Sequence, residues 1–216
     1  MNRCLFIWIP RTSGTSIVQA CCSVADKPRV MMLSHAHYRY RHDADFVTFG
    51  HRSIQVMAKR GRVNLADIES RYVFTVIRNP WERLVSLWHF ALIHLPVETP
   101  ITFRSFVRKV LFARRIRPTT KANHVWKIHA RNQESFAVDI AGAEVWKYES
   151  LDRDWGRLGD RLGVALPARP EVNGVCHKDY RSYYDEELAA MVADYARWAI
   201  DAGGYRFDNC NLIKRA

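Results

Sequence analysis

The feature that most constrains the fold is a pair of apolar segments that each lead directly into a helix. The first, residues 4–9, is followed by a short run of small polar residues and then by a helical pattern over residues 15–24. The second, residues 72–77, is rich in β-branched and aromatic side chains, and Pro80 behind it suits the first turn of a helix. Uninterrupted apolar runs of this kind are typical of strands buried on both faces of a parallel sheet.

Strand and helix patterns continue to alternate along the chain. Further strands are predicted at residues 29–33, 46–49 and 143–148, and helices at residues 80–92, 101–133, 152–162 and from Asp185 to a stop at Gly203-Gly204. This alternation predicts an α/β fold with a mainly parallel central sheet flanked by helices. No repeat, low-complexity tract or linker divides the chain, so we expect one domain over residues 1–216.

The charge balance predicts an anionic ligand. The chain has 33 Lys and Arg residues against 22 Asp and Glu residues, a formal net charge of +11. Such a field attracts a phosphorylated nucleotide, an acidic polysaccharide, nucleic acid or an anionic membrane face. Nucleic acid is disfavoured because no helix-turn-helix, RNA-recognition or zinc pattern is present. No apolar stretch approaches the ~20 residues that span a bilayer, so no integral membrane segment and a cytoplasmic location are expected.

The cysteines and histidines do not predict a metal site. The five cysteines include no C-x-x-C pair, which favours reduced thiols over a disulfide framework or zinc. His35 and His37 form an H-x-H pair, but no third ligand follows at a convincing spacing.

The segment between the first strand and its helix, Pro-Arg-Thr-Ser-Gly-Thr-Ser at residues 10–16, has the layout of a phosphate-binding loop. Small residues let backbone N–H groups converge, and the helix N-terminus adds partial positive charge. The alternative is a tight turn in which Thr15 or Ser16 caps the helix. The Walker pattern G-x-x-x-x-G-K-[ST] is absent, and so is a strand ending in a magnesium-binding aspartate, which disfavours a kinase or ATPase.

Two segments resemble known donor-binding motifs. "IPRTSGTSI" resembles the 5′-phosphosulfate loop of carbohydrate-type sulfotransferases, P-K-x-G-[GAS]-T-[ST], and "VIRNPWERLVSLWHF" resembles their 3′-phosphate motif, R-x-P-x-x-R-x-x-S-x-[YWF]. "FGHRSI", "VWKYESLDRDWGRL" and the C-terminal segment from His177 are similar to other parts of the same family. The resemblance spans most of the chain, apart from residues 25–45 and 94–120, and implies a P-loop-like sulfotransferase architecture.

The resemblance implies that 3′-phosphoadenosine 5′-phosphosulfate (PAPS) is the co-substrate and that no metal is needed. It assigns the 3′-phosphate to Arg78 and Ser86, with Arg83 at the second arginine of the motif. A simple pair between Arg78 and Glu82 is the structural alternative. The resemblance assigns the 5′-phosphosulfate end of the donor to the loop residues Arg11, Thr12, Ser13, Gly14, Thr15 and Ser16.

Two residues are expected to take part in the chemistry. His51 falls where family members commonly keep a catalytic base, with His35, His37 and Glu149 as rivals. Arg11 is expected to neutralise charge on the departing phosphate, although it stands where the family usually has lysine. Arginine is a planar fork that stays protonated, so this exchange is not conservative.

The expected function is transfer of a sulfuryl group from PAPS to a hydroxyl on a glycan, a glycolipid or a small molecule. The alternative is a nucleotide- or polyanion-binding protein with little activity on the same fold. The basic stretch from Arg104 to Lys121 is either a solvated helix face or part of an acidic-glycan site. Neither the acceptor nor the oligomeric state is specified by the sequence.

Overall fold

Five strands form a single parallel sheet in the part of the chain that the computed structural model describes. Those residues are 1–30, 43–61, 63–94, 101–112, 128–137, 142–172, 174 and 176–207. The strands are β1 (Cys4–Ile7), β2 (Pro28–Val30), β3 (Phe46–Thr48), β4 (Tyr72–Ile77) and β5 (Glu144–Lys147). Their order across the sheet is β2-β3-β1-β4-β5, and every neighbouring pair is parallel. The predicted α/β fold with a mainly parallel sheet is therefore confirmed.

The strand order creates a switch point between β1 and β4. From β1 the chain crosses to β2 at one edge of the sheet, whereas from β4 it continues to β5 at the other edge. The two strands are hydrogen-bonded neighbours, with Cys4 opposite Tyr72 and Ile7 opposite Thr75. In open parallel sheets, ligands bind outside the carboxyl ends of the strands at such a point.

Helices occupy most of the remaining described chain. They are α1 (Gly14–Val24), α2 (Ile54–Lys59), α3 (Leu65–Glu69), α4 (Pro80–His94), α5 (Phe103–Phe112), α6 (Glu134–Ala137), α7 (Leu151–Leu162), α8 (Glu186–Tyr195) and α9 (Arg197–Gly203), with 3₁₀ turns at Tyr148–Ser150 and Tyr180–Tyr183. None of the described helices is long and apolar enough to cross a membrane.

The contacts divide the chain into two compact units. The first, Met1–Ile77 with Ser135–Asn173, contains the sheet, and its core includes Phe6, Phe46, Phe74 and Trp146. The second, Arg78–Glu134 with Gly174–Ala216, has a helical core that includes Trp81, Val85, Phe106, Tyr180 and Val192. The single domain over residues 1–216 stays a prediction.

The C-terminal helix differs from its prediction. The sequence pattern predicts one helix from Asp185 to Gly203-Gly204, but the backbone leaves the helical region at Ala196, which separates α8 from α9. Tyr195 beside this break donates a hydrogen bond to the carbonyl of Ala130, a tertiary contact that periodicity does not register. The predicted ends are correct, because Asp185 caps α8 and Gly204 takes a left-handed conformation after α9.

Other predictions are confirmed with shifted ends. The first strand ends at Ile7 rather than residue 9, and the strand predicted at residues 143–148 covers Glu144–Lys147. Residues 31–33 of the second predicted strand and residues 113–127 of the predicted helical region lie outside the described part of the chain.

Candidate functional site

The loop between β1 and α1 has a curled backbone. Arg11 has φ 66° and Ser13 has φ 68°, and among the described residues these are the non-glycine residues with positive φ. The left-handed region costs a non-glycine residue about 1–2 kcal/mol. Such strained residues cluster at ligand-binding sites, where the surrounding structure holds them in place. The sulfotransferase loop pattern P-K-x-G-[GAS]-T-[ST] has glycine at the position of Ser13, so a residue with a side chain here takes a conformation that suits glycine.

The hydroxyl groups of the loop are unequally placed. Thr12 is fully buried and donates a hydrogen bond to the carbonyl of Ile9 at 2.9 Å, so its side chain holds the turn. Ser16 is buried as well, whereas Thr15 is half-buried. Helix α1 begins at Gly14 with Ser13 at the N-cap, so the alternative in which Thr15 or Ser16 caps it is wrong. An anion at this loop would meet the positive end of α1.

Trp8 connects the loop to the predicted base. Its indole lies against Gly14, and its ring and that of His51 make an edge contact with centroids 4.9 Å apart. Nδ1 of His51 is 3.1 Å from the carbonyl oxygen of Trp8. Because a carbonyl oxygen can only accept, Nδ1 carries the proton, which makes Nε2 the basic nitrogen of the neutral ring.

Arg169 also reaches this loop. Its Nη1 donates to Oγ of Ser13 at 2.9 Å, and its Nε donates to Asp152 in the first turn of α7 at 2.6 Å. The side chain of Arg169 is 9% exposed. A hydrogen bond from a charged donor contributes about 1.5–3 kcal/mol, which is comparable with the cost of the left-handed conformation at Ser13. Sequence reasoning missed Arg169, because the segment after α7 has no periodic pattern and matches no quoted motif.

The second motif lies in the other compact unit and begins directly after β4. The backbone N–H of Arg78 donates to the side-chain carbonyl of Gln133 at 2.9 Å, and the amide of Gln133 donates back to the carbonyl of Arg78 at 2.8 Å. Asn79 then accepts from the N–H groups of Trp81 and Glu82, which caps α4 behind Pro80. These bonds fix the backbone of Arg78 at the end of the strand.

Glu82 is shared between two cationic side chains. Its Oε1 lies 2.7 Å from Nη2 of Arg78 and 3.3 Å from Nε2 of His177. The ion pair between Arg78 and Glu82, which the sequence analysis gave as the alternative to phosphate binding, is therefore present. Burial alone would raise the pKa of Glu82, but the hydrogen bond from His177 and the charge of Arg78 outweigh burial and lower it.

The surroundings of His177 favour its charged form. The hydrogen bond to Glu82 raises the pKa of His177 against the opposing effect of burial. Its Nδ1 lies 2.8 Å from the carbonyl oxygen of Lys178, so both ring nitrogens face acceptors, as they do in an imidazolium. The ring of His89 stacks on it at 5.5 Å, and burial together with the charge of His177 lowers the pKa of His89.

The remaining motif residues are buried in the second unit. Ser86 on α4 is 2% exposed. Arg83 is also 2% exposed, and its Nη2 donates to the carbonyl of His129 at 2.9 Å. That contact supports a packing role for Arg83 within its own unit.

Of the rival candidates for the base and for the acceptor site, the structure describes Glu149 and part of the basic stretch. His35 and His37 lie outside the described residues. Glu149 is half-buried on the 3₁₀ turn after β5. On α5, Arg104 forms ion pairs with Asp185 and Glu187 on the surface, and Arg108 pairs with Glu187 at 3.4 Å. These pairs favour the solvated-face interpretation for this part of the basic stretch.

Comparison with known proteins gives a match to a family model and similarity to solved structures. The model of a family described as the sulfotransferase family matches residues 2–177. The chain is also similar to a crystal structure of mouse sulfotransferase SULT7A1 complexed with PAP, with a TM-score of 0.57 and 11% sequence identity. That alignment covers 94% of this chain and 89% of the mouse chain, and it shows a shared fold. A search of curated proteins found no match.

Proposed function

We propose that this chain, which belongs to the sulfotransferase family, transfers the sulfuryl group of PAPS to a hydroxyl group of an acceptor. The observation that carries the proposal is the position of the two motifs along the sheet. The loop of residues 10–16 follows β1, and the segment that begins at Arg78 follows β4, the adjacent parallel strand at the switch point. Ligands of parallel sheets bind outside the carboxyl ends of the strands, and both motifs follow strands that are neighbours at the switch point.

The proposed binding roles follow the two motifs. Backbone N–H groups of Ser13, Gly14 and Thr15 at the start of α1, with hydroxyls of Thr15 and Ser16, hold the 5′ end of the donor. Because the side chain of Thr12 is engaged with Ile9, Thr12 contributes through its backbone. Arg78 and Ser86 bind the 3′-phosphate, and Arg78 must then exchange or share its contact with Glu82.

The proposed reaction is an in-line transfer. The acceptor oxygen attacks sulfur and forms the new S–O bond, while the bond between sulfur and the bridging oxygen of the 5′-phosphate breaks. The proton of the acceptor hydroxyl passes to Nε2 of His51, whose orientation is supported by the contact of Nδ1 with Trp8. Arg11 neutralises the charge that develops on the departing phosphate.

We propose a carbohydrate or glycolipid hydroxyl as the acceptor. The resemblance of the two motifs to those of carbohydrate-type sulfotransferases supports this acceptor class, and the net charge of +11 would attract an acidic member of it. The cytoplasmic location predicted from the sequence stays a prediction.

The first test is the nucleotide preference of the purified protein. Calorimetry should show that 3′-phosphoadenosine 5′-phosphate (PAP) binds more tightly than AMP, which lacks the 3′-phosphate. Equal affinities would contradict the assignment of Arg78 and Ser86. Incubation with ³⁵S-labelled PAPS and a panel of glycans, glycolipids and small alcohols then tests transfer. Preferential PAP binding without transfer to any acceptor would favour the binding-protein alternative.

A further inference from the structure

We infer that Arg169 is a positioning residue for donor binding, which keeps Ser13 in the left-handed conformation that the phosphate-binding loop requires. This inference rests on the proposed function, since it concerns the loop that would hold the 5′ end of PAPS. Arg169 belongs to neither donor motif and lies 156 residues from Ser13 along the chain.

The conformation of Ser13 needs external support. Its φ of 68° lies in a region that glycine adopts readily and that residues with a Cβ avoid. Ser13 is the N-cap of α1, yet its hydroxyl makes no capping hydrogen bond to the helix. Instead, its Oγ accepts from Nη1 of Arg169. The hydroxyl of Ser13, which would ordinarily stabilise the start of the helix, thus bonds to Arg169 instead.

The guanidinium of Arg169 is itself fixed in place. Asp152 contacts its Nε and Nη2, so the orientation of the planar fork is set from the first turn of α7. The chain before Arg169 is anchored to the same helix, because Nε1 of Trp155 donates to the carbonyl of Pro167 at 2.9 Å. Pro167 and Pro170 flank Arg169 and restrict the backbone there. Arg169 is therefore held in place by α7 and acts as a fixed support for the loop.

The loop conformation matters for anion binding because it directs the first N–H groups of α1. If Ser13 relaxed to negative φ, the N–H of Gly14 and the chain leading into it would turn away from their present direction. Binding of the 5′-phosphate would weaken, while groups that bind the 3′-phosphate would be unaffected. The predicted effect of losing Arg169 is thus selective for one end of the nucleotide.

The test compares PAP with adenosine 3′-phosphate, which lacks the 5′-phosphate, by calorimetry. We expect Arg169→Ala to weaken PAP binding by at least about tenfold and to leave adenosine 3′-phosphate binding unchanged. Placing Ser13→Gly together with Arg169→Ala should restore PAP affinity to within about threefold of the unchanged protein, since glycine adopts positive φ without support. Arg153→Ala is the matched control, because Arg153 is an exposed arginine on α7, the helix that anchors Arg169, and pairs with Asp154.

The outcomes separate the possible roles. Normal PAP binding by Arg169→Ala overturns the inference alone, whereas no PAP binding by the unchanged protein overturns the donor assignment and this inference with it. A double variant as weak as Arg169→Ala would mean that the charge of Arg169 acts on the ligand and would overturn the positioning role. If Arg169→Ala does not fold, the comparison moves to Ser13→Gly, to which adding Arg169→Ala should make no further difference.

Discussion

Trp8 and Gly14 are in such close contact that a Cβ on residue 14 would lie 1.9 Å from Nε1 of the indole. The same tryptophan contacts His51 through its ring and its carbonyl oxygen. Trp8, the residue directly after β1, therefore supports both the first residue of α1 and the predicted base. Small residues in phosphate loops are usually explained by access for the ligand. Here the indole of Trp8 also leaves no room for a side chain at residue 14.

Gly14→Ala should disrupt the loop. The methyl group would force the indole aside, and overpacking of this kind costs about 1–3 kcal/mol of unfolding free energy. We also expect PAP affinity to fall by at least about tenfold, because α1 can no longer begin in its present position. Chemical denaturation and calorimetry measure the two effects. Gly156→Ala is the control. Gly156 lies within α7, and a Cβ added there would have no heavy atom within 4 Å. The unfolding free energy of this variant should rise by about 0.4–1 kcal/mol.

His51→Gln tests the proposed base. Glutamine can still donate to the carbonyl of Trp8, but it cannot accept the proton of the acceptor hydroxyl. We expect kcat to fall about 10²–10⁴-fold while the Kd for PAP stays unchanged. The measurement is transfer of ³⁵S from labelled PAPS at saturating donor, with calorimetry on the same preparations. Full turnover by His51→Gln would remove His51 from this role.

The parts of the fold that the sequence predicts well are those in which pattern and burial agree. Strand β4 and the start of α4 match their predicted bounds, because β-branched residues end at Arg78-Asn79-Pro80 and proline fits the first helical turn. The break at Ala196 was not predictable, since the apolar stripe continues through it and the contact of Tyr195 with Ala130 depends on tertiary structure.

The candidate site divides in the same way. Residue type and spacing predict a phosphate-binding loop at residues 10–16, and the resemblance to a family motif predicts a 3′-phosphate role for Arg78. The residues that hold them in place are distant in sequence: Arg169 reaches Ser13, Gln133 pairs with the backbone of Arg78, and His177 reaches Glu82. Arg169 and Gln133 carry no local pattern, and the resemblance of the segment from His177 assigns that residue no role, so the sequence predicts candidate binding residues but not what orients them.

Arg78→Lys should selectively weaken recognition of the 3′-phosphate. Lysine keeps the charge but loses the fork that can contact a carboxylate and a phosphate together. We expect PAP affinity to fall about tenfold or more, with AMP affinity unchanged. Arg108→Lys on α5, an exposed residue of the same unit, should leave both affinities unchanged. Equal losses for PAP and AMP would indicate a general defect and contradict a 3′-phosphate role for Arg78.

The pair of His177 and Glu82 should make stability depend on pH in a defined direction. Because the pKa of His177 is raised in the folded protein, its contribution is complete below its ordinary value of 6.5 and is lost as pH rises through the folded pKa. The pKa of Glu82 is lowered, so its contribution holds above 4.5 and is lost as pH falls through the folded value.

The measurement is a histidine titration by NMR, together with unfolding free energies between about pH 5 and pH 9. This interval spans the range in which histidine titrates. We expect His177 to titrate above pH 6.5. His89 should titrate below pH 6.5, because burial and the charge of His177 disfavour its protonated form. His177→Asn should remove the loss of stability that the unchanged protein shows as pH rises above 6.5, and should return the pKa of His89 toward its ordinary value. Glu82→Gln should lower the pKa of His177, because the hydrogen bond that raises it is no longer to a carboxylate. A pKa for His177 that does not respond to Glu82→Gln would mean that the two side chains do not interact in solution.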